Sequence, residues 1–182
     1  MPRIPYFDLS EADEEIRKAV ESRPALNIYR MLAHAGPAAA GFLKMGSALL
    51  RENKLDTLLR ELAIIRVGIL CRASYEVYQH ERIARREGLS EEKIEALRDG
   101  PDSPVFNDIE KKVLRYTDSV VLNVKAGEST FRALERMLSH RELAELTLTI
   151  GFYMMVSRFL ENFEVEIEEK PVSVDSISRE AE

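Results

Sequence analysis

Apolar residues recur at intervals of three and four along most of this chain. That period belongs to helices that pack by one face, and strand-like alternation is almost absent. Residues 11–22 read as a charged surface helix, with Ser10 and Asp13 as a weak capping box. Over 25–35, Leu26, Tyr29, Leu32 and Ala33 share a face. Gly36-Pro37 breaks that helix and opens another over 38–51, because proline is tolerated in a first turn. Its apolar face is Phe42, Met45, Leu49 and Leu50. The helix over 58–71, capped by Asp56 or Thr57, has an apolar block from Leu62 to Cys71 broken only by Arg66. A helix apolar nearly all round is buried on several sides.

The next helix, 73–87, puts Ala73, Glu76, Val77, His80, Ile83 and Ala84 on one face, and Gly88 stops it. Ser90 starts a short helix with Glu91 and Glu92 at its positive end. Gly100, Pro101 and Pro104 make 99–106 the best linker candidate. Asn107 caps a helix over 108–125, with Ile109, Val113, Tyr116, Val120 and Val124 in phase and Gly127 closing it. Helices over 129–139 and about 141–166 follow, the last carrying a second buried stretch, TLTIGFYMMVSRFL. The reading is all-α with eight or nine helices. It is one domain over 1–169, with a loose polar tail over 170–182.

Composition narrows the class. The 182 residues are 45% apolar, enough for one domain with a real core. The net charge is −6 with no basic stripe, which argues against nucleic acid as a partner. The chain has one cysteine, Cys71, so it can form no internal disulfide and no Cys-x-x-Cys redox pair. No apolar run approaches the ~18 residues of a membrane span, and the N-terminus lacks the apolar region of a signal peptide. The expectation is a cytoplasmic protein with no membrane partner. Three histidines without HxH or HxxxH spacing make a metal site improbable, and no glycine-rich phosphate loop is present.

The stretch 58–89, LLRELAIIRVGILCRASYEVYQHERIARREGL, concentrates the candidate chemistry. Glu76 and His80 stand at i and i+4, one turn apart on a partly apolar face. A carboxylate there tends toward a raised pKa and can hold an imidazole ring, so the pair could move protons near neutral pH. The bland alternative is a solvent-edge pair worth a few tenths of a kcal/mol. Glu61 is either a first-turn acid on the helix dipole or part of the same chemistry. Arg66 either pairs with an acid or binds a substrate carboxylate bidentately. Tyr75, two positions off the 76/80 face, either packs or supplies a phenol donor. His34, near a helix end, either caps it or lines a pocket. Arg60-Glu61-Leu62-Ala63 recurs 81 residues later as Arg141-Glu142-Leu143-Ala144, so an internal duplication is open. It would set Ser157 opposite Glu76 and Glu161 opposite His80.

The segments LRELAIIRV and SYEVYQHERIARREGLS, supported by NIYRMLAHAGP and GFYMMVSRFLEN, resemble the carboxymuconolactone decarboxylase family, which includes the alkylhydroperoxidase D-like proteins. The resemblance covers roughly 25–165. It implies an all-helical fold that assembles into trimers or hexamers. Redox members carry a Cys-x-x-Cys pair, an upstream relay glutamate, and a histidine four residues after the second cysteine. By position the glutamate is Glu61 and the histidine His80, while the cysteine positions fall on Ala73 and Glu76. Both thiols are absent, and thiol–disulfide chemistry needs both. What remains resembles the decarboxylase-like branch. The expectation is a cofactor-independent lyase acting on a small organic acid or lactone, with His80, Glu61 and Glu76 catalytic and Tyr75, Arg66 and His34 binding substrate. Two alternatives stay open: a peroxidase-related relative that has lost its cysteines, and a non-catalytic ligand-binding oligomer.

Overall fold

The structure, a computed structural model, describes residues 1–174. Among them it is all-helical, with nine α-helices and two short 3₁₀ turns. Contacts group the chain into two compact units, one of Met1–Arg51 with the chain from Phe159, the other of Glu52–Arg158. Most of the tail expected over 170–182 lies outside the described residues.

The first unit holds α1 (Glu14–Glu21), α2 (Asn27–Leu32) and α3 (Pro37–Arg51). Helix α1 begins later than the sequence suggested, because Ser10 does not cap it. Ser10 instead donates through its backbone N–H and its hydroxyl to Asp8 Oδ1, which caps a 3₁₀ turn at Leu9–Glu11. Proline opens α3 as expected. Its buried face is Ala39, Leu43 and Leu49, and Met45 is exposed.

The second unit is built on α4 (Thr57–Cys71), which packs against α5 (Ser74–Arg86) and α7 (Asp108–Asn123). Asp56 caps α4 by accepting from the backbone N–H groups of Leu58 and Leu59. Every residue from Leu59 to Gly68 is buried. The α4–α5 approach is close. A Cβ on Gly68 would lie 3.0 Å from Val77 Cγ2, so a larger residue there would force the Val77 side chain to shift. The unit continues through α6 (Glu91–Ala96), capped by Ser90, and α8 (Glu128–Glu135). Asn107 and Glu110 form a full capping box at the start of α7.

Three expectations are corrected here. The stretch 99–106 lies inside the second unit and separates no domains. Its Gly100 has φ +99° and sits 3.4 Å, at the Cβ position, from the Arg66 guanidinium. Helix α7 ends at Val124, in the left-handed region at φ +66°, while Gly127 is the N-cap of α8. The stretch TLTIGFYMMVSRFL in α9 (His140–Phe163) is only half buried. Leu146, Ile150, Phe152, Tyr153 and Val156 are in the core, but Leu148 and Met155 are 52% and 46% exposed. Helix α9 is long and apolar enough to cross a membrane by length and composition, with half of that window buried inside the fold.

The two RELA copies sit in different places. Glu142, at the mouth of α9, forms a reciprocal cap with Ser139. Glu61 lies a full turn inside α4, at 0% exposure.

Candidate functional site

Helix α5 is amphipathic with its sign reversed on one side. Glu76, His80, Ile83 and Ala84 point inward and are all buried, so a carboxylate and an imidazole enter the core together. Helix α4 supplies the partner. Its register places Glu61 against His80, 19 residues away in sequence. Glu61 Oε2 lies 2.7 Å from His80 Nδ1. A carboxylate only accepts, so Nδ1–H is the donor and Nε2 is the nitrogen that gains and loses a proton as the ring titrates. Nε2 faces Glu76 Oε2 at 3.4 Å. The other oxygen of Glu61 accepts from Arg60, at 3.3 Å from Nε and 3.2 Å from Nη2. The Tyr153 ring of α9 closes the imidazole edge-on, with centroids 4.8 Å apart at 88°.

The result is a buried line Arg60–Glu61–His80–Glu76. Burial alone would lower the His80 pKa. The Glu61 carboxylate, through its charge and its hydrogen bond, and the charge of Glu76 outweigh burial, and the value is raised. Arg60 opposes that rise. Glu76 is also raised, first by burial and then by the charge of Glu61, against the pull of His80. The line therefore stores protons to a higher pH than free side chains do, on two groups that face each other. His80 and Glu76 each keep 7% of their side-chain surface open. The geometry suits proton delivery or removal by imidazole, with a carboxylate fixing the ring from behind.

The other candidates lie elsewhere. Arg66 is engaged by Asp118, with Nε to Oδ1 and Nη2 to Oδ2 both at 2.7 Å, and Nη1 donates to the Leu97 carbonyl at 2.7 Å. Three of its five N–H donors are thus taken by a structural pair and a backbone carbonyl. Tyr75 is a core residue at 2% exposure. His34 belongs to the first unit, exposed, with Nε2 2.8 Å from the Pro5 carbonyl and its ring edge-on to Phe7. Cys71 is half-buried, with Arg158 Nη1 3.8 Å from its sulfur.

Arg60 and Tyr153 join the site without having been singled out. Arg60 had a signal in its adjacency to Glu61, but Tyr153 lay hidden in an apolar run. Ser157, opposite Glu76 in the duplication scheme, is buried and its hydroxyl has no hydrogen-bond partner among the described residues. Among those residues no group of three His, Cys, Asp or Glu side chains could hold a metal ion.

Residues 36–119 match the carboxymuconolactone decarboxylase family. A relative in Escherichia coli K12, the uncharacterized protein YnjA, is 28% identical over 113 residues, which are 60% of this chain and 60% of that protein. Among solved structures, an uncharacterized peroxidase-related protein from Ralstonia eutropha JMP134 with the alkylhydroperoxidase AhpD core superposes with a TM-score of 0.81 at 16% identity, covering 92% of this chain and 93% of that one. The debrominase Bmp8, in complex with 2,3,4-tribromopyrrole, superposes with a TM-score of 0.72 at 18% identity over 92% of both chains. At these identities the structures establish the fold. Residues 36–119 thus resemble the carboxymuconolactone decarboxylase family, and the chain as a whole has the fold of the alkylhydroperoxidase AhpD core.

Proposed function

We propose that this protein is a cofactor-independent lyase that uses His80 as its proton donor on a small organic acid or lactone. One observation carries the reading: His80 is clamped at Nδ1 by the buried Glu61 carboxylate and presents Nε2 to Glu76. In a decarboxylation the carbon–carbon bond to the carboxylate breaks, carbon dioxide leaves, and the electron pair stays on carbon. The substrate's own carbonyl can spread that charge as a dienolate. The protein then has two tasks, to stabilise the enolate and to deliver one proton. Nε2–H is the donor, Glu76 returns a proton to Nε2 afterwards, and solvent reprotonates Glu76, so each carbon dioxide released is matched by one proton taken up. Glu61, held on its far side by Arg60, stabilises the imidazolium. Such a donor contributes roughly 10²–10⁴ in rate.

The test is release of carbon dioxide from carboxymuconolactone, the compound in the family's name, and from a panel of related lactone acids. The expected result is turnover in the wild type and its loss in His80→Gln with helicity unchanged. Full turnover in His80→Gln would overturn the assignment. Peroxide reduction lost on Cys71→Ser would favour the thiol-based alternative instead.

The same reading includes a homo-oligomer. Ala144, Leu148, Gly151 and Met155 form an exposed stripe on α9 at spacings of four, three and four. Alternation of small and large side chains at that spacing is what a second copy's helix can interlock with.

A further inference from the structure

We propose that the cleft at the α4–α5 corner binds a small monocarboxylate with an apolar or aromatic body, at a site separate from the His80 line. Successive helix residues turn by about 100°. Ser74, Val77, Tyr78 and Glu81 therefore share the face of α5 opposite Glu76 and His80. That face lines a shallow, open groove of about 570 Å³. Ile69, Val77 and the Tyr78 ring supply an apolar wall, and Arg72 and Ser74 stand at one end. Glu81 and Arg98 close the other.

The electrostatics select an anion. Arg72 is exposed, and its guanidinium makes no hydrogen bond or ion pair among the described residues. Glu81 is the one carboxylate of the lining, and it is already held by two arginines. Arg98 Nη2 lies 2.7 Å from Oε1 and Arg85 Nη2 lies 3.4 Å from Oε2. Arg98 is spent on Glu81, so Arg72 is the one guanidinium of the lining left without a carboxylate, in a chain whose net charge is −6. Arg72 is also held in the left-handed region, at φ 59° and ψ 31°, as the C-cap of α4. Glycine would adopt that conformation without strain. The arginine there is fixed at its backbone by the N–H contacts of the cap to Gly68 and Ile69. A guanidinium can grip a carboxylate with two parallel bonds, the Ser74 hydroxyl can add a third, and an aromatic body can lie along Tyr78. A second carboxylate on the ligand would meet Glu81, which is why the class is a monocarboxylate.

Benzoate is the probe, titrated into the whole protein by calorimetry. Wild type should saturate in the millimolar range. Arg72→Gln should bind at least about tenfold more weakly, the loss of one charge-assisted contact. Arg72→Lys should fall between the two, since it keeps the charge and loses the fork. Benzamide, isosteric and uncharged, should bind much more weakly than benzoate. His80→Gln should leave benzoate affinity unchanged, so failure of the lyase reading does not touch this one. Equal affinity in wild type and Arg72→Gln, equal affinity for benzamide and benzoate, or no binding at all would each overturn the proposal.

Discussion

The coupling between Glu61 and His80 can be measured directly. The perturbation is a double-mutant cycle of Glu61→Gln, His80→Gln and the pair. Gln keeps the size of both side chains and removes the charge of each. The contact is 2.7 Å long between side chains 0% and 7% exposed. Solvent screening, which reduces exposed pairs to about 0–1 kcal/mol, hardly operates here. A hydrogen bond to a charged group contributes about 1.5–3 kcal/mol, so the coupling should fall in that range when His80 is protonated. Glu61→Gln alone should cost more, because Arg60 loses the carboxylate it pairs with and stays buried. The assay is urea unfolding of the four proteins at about pH 6, below the ordinary histidine value. The coupling should shrink as pH rises through the folded-state titration of His80. Nuclear magnetic resonance can follow that titration, since the chain has only three histidines. In Glu61→Gln the His80 titration should move downward. A coupling below about 0.5 kcal/mol at acid pH, or a His80 titration unmoved by Glu61→Gln, would refute the reasoning, because neither is compatible with a charge-assisted bond.

Other consequences follow from the same coordinates. The folded-state values of His80 and Glu76 are both raised, so their bound protons favour the folded state. That stability is fully present below each group's unfolded value and is lost as pH rises through its folded value; in His80→Gln the histidine part of this decline should vanish from a series of unfolding curves. Arg66→Met should cost about 3 kcal/mol in denaturant unfolding, because it leaves Asp118 unpaired at 19% side-chain exposure, and Arg66→Lys should recover little since it lacks the fork. Val124→Asn should stabilise by about 0.5–1 kcal/mol, or ~1–4 °C in Tm, because Val124 is 89% exposed and β-branched at positive φ; an unchanged Tm would mean the backbone there carries no strain. Leu148→Glu with Met155→Glu should lower the mass seen by light scattering, and an unchanged mass would exclude that face as the contact between copies.

Much of this molecule could be read before folding. The helix pattern of α4, its cap at Asp56, the caps at Ser90 and Asn107, and the placing of Glu76 one turn from His80 all rest on neighbours within four residues. Local spacing and capping chemistry decide such features, and the chain states them openly. Errors fell where two local signals competed. Asp8, ahead of Ser10, captured it in a 3₁₀ turn, and Val124 took a left-handed conformation that a glycine three residues on had suggested for itself.

What the sequence alone determined was a set of amphipathic helices and a carboxylate–imidazole pair on one of them. It left open whether that pair faced water or the core. Only the packing of α4 on α5 decided this, by bringing Glu61 to His80 across 19 residues and setting Arg60 on the other oxygen. The same packing sent Arg66 to Asp118, 52 residues away. The edge-on Tyr153 came from the opposite end of the unit. These pairings depend on how helices cross, a property of side-chain shapes summed over whole interfaces. No spacing of three or four residues encodes it.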